Sequence, residues 1–240
     1  MKKEFSIIIP TYNEAENIVP LLKDITKILG SQSQNYEIIV SDDNSPDLTW
    51  QIVENFAIES KSPNIKIFRR LGKEKGLSRS VVDAFNVASG DILIVMDGDR
   101  QHEETCLLEL IKIADNFDMV IGSRFTKGAK IAAKWPFYRK IASKIAIFAT
   151  NFILGTTISD PMSGFFSIKN EKYQRLSPYI KAEGFKIMLE ILYFLKKNDK
   201  NAKITEIPIK FRNREKGESK LGILVILDLF KMILRLKFHR

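Results

Sequence analysis

The chain has 240 residues, 45% of them hydrophobic, and a formal net charge of +9. That length and hydrophobic content suffice for one large domain with a buried core, so disorder of the whole chain is excluded. Cys106 is the single cysteine and cannot form an intramolecular disulfide, which suits the reducing cytoplasm. The basic residues are spread without interleaved aromatic residues, so nucleic acid is not expected as the partner.

Short apolar runs alternate along the chain with segments of helical period. The predicted strands cover residues 5–9, 36–40, 65–68, 91–96 and 119–121. The predicted helices cover residues 17–29, 49–60, 77–88 and 106–116. This alternation predicts an α/β fold with a mainly parallel central sheet and helices on both faces.

Polar residues follow the first two predicted strands directly. Pro10-Thr11-Tyr12-Asn13-Glu14 follows the first, and Asp42-Asp43-Asn44-Ser45-Pro46-Asp47 follows the second. Such residues also form turns and helix caps, which is the structural alternative. Consecutive carboxylates repel each other, however, unless a donor, a cation or a ligand compensates them. Asp42 and Asp43 are therefore candidates for a binding site.

Asp97-Gly98-Asp99-Arg100-Gln101 follows the fourth predicted strand. If the backbone stays extended, Asp97, Asp99 and Gln101 lie on one face. Hard oxygen ligands of this kind suit Mg²⁺ or Mn²⁺ carrying phosphates. A solvated turn is the alternative, but the carboxyl end of a strand is where α/β sheets bind ligands. The pattern predicts a divalent-cation site that handles a diphosphate.

A series of motifs in one order covers nearly the whole chain. They are Ile9-Pro10-Thr11-Tyr12-Asn13-Glu14, Asp42-Asp43-Asn44-Ser45-Pro46-Asp47, Gly76-Leu77-Ser78, Asp97-Gly98-Asp99-Arg100-Gln101-His102, Gly122-Ser123-Arg124, Asp160-Pro161-Met162-Ser163-Gly164-Phe165-Phe166 and Phe211-Arg212-Asn213-Arg214-Glu215-Lys216-Gly217-Glu218-Ser219-Lys220-Leu221. By these motifs the chain resembles the family 2 glycosyltransferases of the Rossmann-like GT-A fold, and within them the dolichyl-phosphate mannose synthases.

The resemblance implies an inverting enzyme that transfers mannose from GDP-mannose to dolichyl or polyprenyl phosphate at the cytoplasmic face of a membrane. It also implies roles for particular residues, with Mg²⁺ or Mn²⁺ as cofactor. The residues implied to bind the nucleotide-sugar are Pro10, Tyr12, Glu14, Asp42, Asp43, Asp97, Gly98 and Asp99. The residues implied to bind the metal are Asp97, Asp99 and Gln101. The residues implied to bind the acceptor phosphate are Arg124, Arg139, Ser143, Arg214 and Lys220. The residues expected to carry catalysis are Asp97, Asp99, Arg124 and Arg214.

Six further residues either have an open role or depart from the family pattern. Asp160 and Glu190 fall in stretches that the resemblance places on the sugar side, but Glu190 is also explained as a helix carboxylate paired with a lysine. His102 either touches phosphate or is a surface histidine in a turn. Arg100, and the pair Glu103-Glu104, depart from the family pattern of an apolar residue and two prolines, which makes the donor less certain than the reaction class.

Two segments bear on membrane binding. The catalytic domain is expected to cover residues 1–220 and to include the first segment, residues 135–154. This segment carries an apolar stripe at helical spacing, which is typical of either a core-facing or an interfacial helix. The stripe consists of Phe137, Ile141, Ile145, Phe148 and Phe152. Residues 221–240 predict a C-terminal amphipathic helix lying in the plane of the interface. The cations expected to face anionic headgroups are Lys231, Arg235, Lys237 and Arg240.

Other functions remain as alternatives at this point. A family 2 enzyme that uses UDP-glucose or another donor, with a lipid or glycan acceptor, belongs to the same class. A non-catalytic nucleotide-binding subunit at a membrane belongs to a different class. No run of 18 uninterrupted apolar residues occurs, so the expectation is peripheral membrane binding or a separate membrane-protein partner.

Overall fold

The structure is a computed structural model, and it describes residues 3–30, 35–72, 74–132, 137–213 and 231–238. The strands are β1 (Lys3–Thr11), β2 (Tyr36–Asp42), β3 (Ile65–Arg69), β4 (Gly90–Val95), β5 (Met119–Ser123), β6 (Lys130–Ile131), β7 (Phe166–Lys169), β8 (Ile204–Pro208) and β9 (Lys210–Phe211). The helices are α1 (Ala15–Gly30), α2 (Thr49–Glu59), α3 (Leu77–Val87), α4 (Thr105–Ala114), α5 (Phe137–Leu154), α6 (Asn170–Leu176) and α7 (Ile187–Asn198). A 3₁₀-helix covers Ser177–Tyr179, and residues 231–237 are helical.

The central sheet has seven strands in the order β3-β2-β1-β4-β7-β5-β8. Strand β7 runs antiparallel to both β4 and β5, and the other pairs in this sheet are parallel. The mainly parallel sheet is therefore confirmed, and each predicted strand and helix corresponds to an observed one with small differences in its ends. A parallel pair, β6 with β9, forms a second sheet.

Helices cover both faces of the central sheet. Side chains of β1 alternate between two apolar clusters: Ile8 packs in one, with residues of α3 and α7, while Ile7 and Ile9 pack in the other, with α1 and α4. Met232, Ile233 and Leu236 in the C-terminal helical segment are buried in the first cluster. Burial of each such side chain stabilises this packing by roughly 1.5–3 kcal/mol.

The parallel strands β1, β2 and β4 are neighbours and end at the same edge of the sheet. The polar motifs that begin at Pro10, Asp42 and Asp97 follow these ends directly. A doubly wound sheet binds its ligands at this edge. The fold thus brings the sequence-predicted site residues of three strands into one region.

A buried carboxylate, Glu37, ties the strands together near their amino ends. It accepts hydrogen bonds from Ser6 Oγ at 2.6 Å, from Ser89 N and Oγ at 2.7 and 2.8 Å, and from Lys66 Nζ at 2.6 Å. Burial opposes its charge, but these donors, led by Lys66, outweigh burial and lower the pKa of Glu37 to about 2. The charged form of Glu37 therefore stabilises the fold at neutral pH.

Replacement of Glu37 by Gln is expected to lower the free energy of unfolding at pH 7 by about 2 kcal/mol, less than the full pKa shift implies because the Lys66 side chain is half exposed and screened. Because the folded pKa is lowered, the stabilisation is present above the ordinary glutamate pKa and is lost as the pH falls toward about 2. Urea unfolding at pH 7 and at pH 3 measures both effects. An equal deficit at both pH values would contradict the charge-based explanation.

Candidate active site

Asp42 holds the turn after β2, and its side chain is fully buried. The carboxylate accepts hydrogen bonds from Thr11 Oγ1 at 2.8 Å and from Ser45 N and Oγ at 2.8 and 2.6 Å. Since Thr11 ends β1, Asp42 joins the carboxyl ends of two neighbouring strands. Hydroxyl and backbone donors thus compensate the charge of Asp42 within the protein.

Asp43 pairs with a buried cation, Arg70. It also accepts a hydrogen bond of 2.8 Å from Gly76 N, directly before α3. Arg70 in turn pairs with Asp83 at 2.9 Å and donates to the carbonyl of Glu74 at 2.7 Å. Asp43 therefore fixes the loop between β3 and α3 against the end of β2, at the rim of the predicted nucleotide pocket.

The other residues predicted for this pocket lie at the end of β1 and in the turn after it. Pro10 is buried, and buried Glu14 accepts a hydrogen bond of 2.7 Å from Asn17 Nδ2. Tyr12 is 37% exposed, and Lys75 Nζ lies 5.3 Å from the centre of its ring. Tyr12 therefore presents an accessible aromatic face beside a cation, which is suited to contact with a nucleotide.

The predicted metal motif forms a turn rather than extended backbone. Strand β4 ends at Val95, and Arg100 has a φ of 59°, in the left-handed region. The expectation that Asp97, Asp99 and Gln101 share a face as successive strand residues is therefore wrong. Instead Asp99 Oδ1 accepts a hydrogen bond of 3.1 Å from Gln101 N, so the motif folds back on itself.

The chemistry of this motif fits a cation that arrives with a substrate. Within the described ranges, no group of three His, Cys, Asp or Glu side chains could hold a metal ion. The motif offers two carboxylates and one amide oxygen near the sheet edge, and Gly98 is buried within it. Mg²⁺ is commonly held by one or two carboxylates together with substrate phosphates and water rather than by a complete protein cage. Asp97, Asp99 and Gln101 are thus suited to a metal–diphosphate complex.

His102 lies beneath this motif. It is 2% exposed, and its ring lies 5.5 Å from that of Phe165 and 5.3 Å from that of Phe211, measured between centres. The interpretation as a surface histidine is therefore wrong. Its Nε2 atom is 3.4 Å from Asp97 Oδ2, and its Nδ1 atom has no hydrogen-bond partner within the described part of the chain. A histidine placed against a carboxylate that is predicted to bind the metal is suited to orienting that carboxylate.

Gly164 approaches the Asp97 carboxylate from the other side. A Cβ atom at this position would lie 2.2 Å from Asp97 Oδ2 and 2.7 Å from its Cγ. Contacts this short require displacement of the carboxylate. The backbone at Gly164 therefore forms part of the wall that positions Asp97.

Replacement of Gly164 by Ala is expected to weaken Mn²⁺ binding about 10-fold, because the new methyl group displaces the Asp97 carboxylate, which is predicted to bind the metal. Electron paramagnetic resonance of free Mn²⁺, recorded with saturating GDP, measures the dissociation constant. Gly30→Ala, at the end of α1, is the matched control, since no atom of the described residues lies within 4 Å of a Cβ at that position. Equal Mn²⁺ affinity in the two variants would contradict the role of Gly164.

Arg124 is bound through its side chain and its backbone to Asp160. Asp160 Oδ2 accepts from Arg124 N at 3.0 Å and from Nε at 2.7 Å, while Oδ1 accepts from Nη2 at 2.8 Å. Burial opposes the charge of Arg124, but Asp160 and then Asp97 outweigh it and raise the pKa of Arg124. A fixed cation in the field of the metal motif is suited to neutralising phosphate charge.

A second carboxylate holds the Asp160 turn. Glu206 in β8 accepts hydrogen bonds from Ser159 N at 2.9 Å, Ser159 Oγ at 2.8 Å and Asp160 N at 3.1 Å. Ser159 Oγ also lies 2.8 Å from Ser123 Oγ at the end of β5. The position of Arg124 therefore depends on a polar network that extends to the strand edge.

The remaining residues predicted for the acceptor phosphate are described only in part. Ser143 is partly buried in α5, and Arg139 belongs to the same helix, although its side chain is not described. Arg214 and Lys220 lie outside the described residues. Their assignment to the acceptor phosphate stays a prediction.

Glu190 is a structural carboxylate in this fold. It is fully buried in α7 and accepts hydrogen bonds from Lys181 N at 3.1 Å, Ala182 N at 3.2 Å and Arg235 Nη2 at 2.6 Å. Burial raises the pKa of Glu190, although these partners oppose the effect. The prediction that a lysine pairs with Glu190 is thus wrong, because Arg235 of the C-terminal helical segment forms this ion pair.

Arg235 is also bound to Glu183 at 2.5 Å. The expectation that Arg235 faces membrane headgroups is therefore wrong, since both of its carboxylate partners belong to the protein. Lys231 and Lys237 are exposed on the same segment, and Arg240 lies outside the described residues. Residues 221–230 are likewise not described, so the interfacial helix of residues 221–240 stays a prediction.

Helix α5 exposes part of its apolar stripe. Ile145, Phe148 and Phe152 are 59%, 72% and 77% exposed, and the two phenylalanine rings stack with centres 6.2 Å apart. A core-facing role for these side chains is therefore wrong, while the side chains of Phe137 and Ile141 are not described. Within the described ranges, no helix is both long enough and apolar enough to span a bilayer.

Three residues that sequence reasoning missed contribute to this site: Arg70, Gly164 and Glu206. Gly164 stands in a motif that the sequence did offer, but its contact with Asp97 depends on tertiary placement. Arg70 directly follows β3 and Glu206 lies in the middle of β8, and neither belongs to a motif. Their partners come from distant parts of the chain.

Comparison with known proteins identifies the family. The family described as Glycosyl transferase family 2 matches residues 6–177. A dolichol-phosphate mannosyltransferase of Pyrococcus furiosus is 44% identical over 96% of this chain, which spans 63% of the length of that relative. Proteins of the same name from Mycosarcoma maydis and Saccharomyces cerevisiae are 35% and 34% identical, over 96% and 97% of this chain and over 78% and 86% of their own lengths.

Solved structures support the fold. Glucosyl-3-phosphoglycerate synthase from Mycobacterium tuberculosis, in complex with Mn²⁺, uridine diphosphate and phosphoglyceric acid, has a TM-score of 0.71 at 18% identity, covering 96% of this chain and 78% of its own. A complex of that enzyme with Mg²⁺ and uridine diphosphate has a TM-score of 0.69 at 19% identity, covering 95% and 79%. The predicted GT-A fold is confirmed, and the chain belongs to glycosyl transferase family 2.

Proposed function

We propose that the protein transfers mannose from GDP-mannose to dolichyl or another polyprenyl phosphate, with inversion, at the cytoplasmic face of a membrane. The observation that carries this proposal is the similarity of at least 96% of the chain to proteins named dolichol-phosphate mannosyltransferase. The chain spans 63% of the length of the Pyrococcus furiosus relative, so we propose rather than infer directly that it carries out the complete reaction.

The donor binds at the ends of β1, β2 and β4 in this proposal. Tyr12 contacts the nucleotide, and the Asp42 and Asp43 turns shape its pocket. Asp97, Asp99 and Gln101 would hold Mg²⁺ or Mn²⁺, which would neutralise charge on the departing diphosphate. The oxygen donor set of this motif and the fixed guanidinium of Arg124 support that arrangement.

The acceptor needs little acid–base assistance. A phosphate monoester is already ionised near neutral pH, so its oxygen can attack the anomeric carbon without a general base. The new bond joins this oxygen to the anomeric carbon, and the bond from that carbon to the diphosphate breaks with its electron pair leaving on GDP. The protein contributes mainly positioning by Arg124, Arg139, Ser143, Arg214 and Lys220.

The proposed lipid acceptor requires access to a membrane surface. The exposed side chains of Ile145, Phe148 and Phe152 on α5 support such access, because a contiguous exposed apolar face favours contact with the interfacial region of a bilayer. The cations of the C-terminal segment, Lys231 and Lys237, would add attraction to anionic lipids. A separate membrane-protein partner on this face is the alternative.

Donor choice is tested by sugar transfer to dolichyl phosphate in detergent micelles, with radiolabelled GDP-mannose or UDP-glucose as the donor. Product from GDP-mannose in excess over UDP-glucose is the expected result. Preference for UDP-glucose would reassign the donor within the family. No product from either donor would overturn the proposed reaction and favour another acceptor or a non-catalytic nucleotide-binding subunit.

A further inference from the structure

An ion-pair chain connects the metal motif with the segment that follows β8. Glu104 Oε2 accepts a hydrogen bond of 3.2 Å from Arg212 Nη1, and Glu104 Oε1 lies 3.9 Å from Arg100 Nε. Arg100 also pairs with Asp24 of α1 at 3.1 Å. Glu104 is buried and therefore holds Arg212 in one place more firmly than an exposed partner would.

Backbone contacts put the same two segments in register. Arg212 N donates to the carbonyl of Gln101 at 2.7 Å, and Glu103 N donates to the carbonyl of Lys210 at 3.1 Å. An antiparallel bridge joins His102 to Phe211 between these bonds. Residues 210–212 thus lie directly along residues 101–103.

This pairing sets the orientation of the Gln101 amide. Its Nε2 atom donates to the Arg212 carbonyl at 3.3 Å. A flipped amide would set two oxygen atoms against each other, so the hydrogen-bond network fixes which end of the amide faces Arg212. Gln101 Oε1 consequently points away from the Arg212 carbonyl, and it is the one side-chain atom of Gln101 that can coordinate a metal.

We propose that Glu104 is a positioning residue for the metal site: its ion pair with Arg212 keeps the Arg212 carbonyl against Gln101 and so presents Gln101 Oε1 to the cation. This inference rests on the metal site of the proposed function. Glu103 also pairs with Arg212, but at 3.7 Å rather than the 3.2 Å of Glu104. Its shorter ion pair is with Lys210, which is half exposed and screened by solvent, so Glu103 contributes less to the position of Arg212. The chain thereby uses an acidic residue at a position where the family pattern has a proline.

The test is Mn²⁺ binding, measured by electron paramagnetic resonance with saturating GDP and again with UDP, on wild type and on Glu104→Gln. The variant is expected to bind Mn²⁺ about 10-fold more weakly. Glu109→Gln is the matched control, because it removes the same charge from an exposed position on α4. Thermal unfolding of each variant reports separately on folding.

A double-mutant cycle separates positioning from general destabilisation. Arg212→Ala keeps the backbone carbonyl but removes the ion pairs with Glu104 and, at a longer distance, with Glu103, so it is expected to weaken Mn²⁺ binding at least as much as Glu104→Gln does. The double variant is expected to bind Mn²⁺ no more weakly than Arg212→Ala, because the ion pair between Glu104 and Arg212 is already lost in that variant. Additive losses, or wild-type Mn²⁺ affinity in Glu104→Gln, would overturn the role of Glu104 alone. Absence of Mn²⁺ binding by wild type with either nucleotide would overturn the metal site together with this proposal.

Discussion

Replacement of Asp97 by Asn is expected to lower the rate of sugar transfer about 1000-fold, because it removes the charge of a carboxylate that we propose binds the metal, at the point where diphosphate charge develops. Asn keeps the size of the side chain and one oxygen, so the loss reports on charge rather than on packing. The charge of Asp97 also acts on Arg124, and Asp97 Oδ2 lies 3.4 Å from His102 Nε2. Steady-state transfer of radiolabelled mannose to dolichyl phosphate measures the effect.

Asp91 provides the control for this variant. It lies near the start of β4, whereas Asp97 follows the end of that strand, and it is exposed. Asp91→Asn is expected to transfer sugar at the wild-type rate. A rate for Asp97→Asn within about 10-fold of wild type would contradict the assignment of Asp97 to the metal.

Replacement of Arg235 by Ala is expected to lower the free energy of unfolding by about 3 kcal/mol, because it leaves the buried carboxylate of Glu190 without its cation. The backbone donors at Lys181 and Ala182 remain, so the carboxylate keeps part of its compensation. Urea unfolding at pH 7 followed by circular dichroism measures the change. The expected size is large for a residue so close to the C-terminus, because its partner is fully buried.

The same variant has a predictable pH dependence. Burial already raises the pKa of Glu190, and loss of Arg235 raises it further. An acid whose folded pKa is raised stabilises the fold below its unfolded pKa, and that stabilisation is lost as the pH rises through the folded pKa. The deficit of Arg235→Ala is therefore expected to shrink as the pH falls from 7 toward the ordinary glutamate pKa of about 4.3.

Lys237→Ala is the matched control for Arg235→Ala. It removes a cation from the same helical segment, but Lys237 is exposed. Its free energy of unfolding is expected to stay within about 0.5 kcal/mol of wild type. Equal destabilisation by the two variants, or a deficit for Arg235→Ala that does not change with pH, would contradict the Glu190 pairing.

The first half of the fold was predictable because its signals are local. Strands such as β1 and β4 are continuous apolar runs that end in polar turns, and each run identifies its strand without knowledge of its neighbours. Strand β7 was not identified, since it has four residues, Phe166–Lys169, and forms only by pairing with β4 and β5. Its antiparallel direction is a property of the assembled sheet.

The sequence predicted which types of residue form the site and which strand ends carry them, but not the partners of those residues. Asp42, Asp43 and Asp97 all lie at the predicted edge, but their immediate partners come from distant parts of the chain. His102 is buried because it pairs with Phe211, and Glu190 is paired by Arg235. Local sequence cannot supply such partners, so a surface histidine and a lysine-paired glutamate were reasonable but wrong expectations. The strand ended at Val95, before the metal motif, and Arg100 then adopted a left-handed conformation, which a charged side chain does not signal.

The most direct test of the proposed reaction compares two acceptors that differ only in the phosphate. Wild-type protein is incubated with radiolabelled GDP-mannose and Mn²⁺ in detergent micelles that contain either polyprenyl phosphate or the free polyprenol. We expect a mannosylated lipid from polyprenyl phosphate alone, and none when EDTA removes the metal, because the ionised phosphate is both the nucleophile and the group that the cations bind. Transfer to the free alcohol at a similar rate, or no transfer to polyprenyl phosphate, would contradict the proposed function.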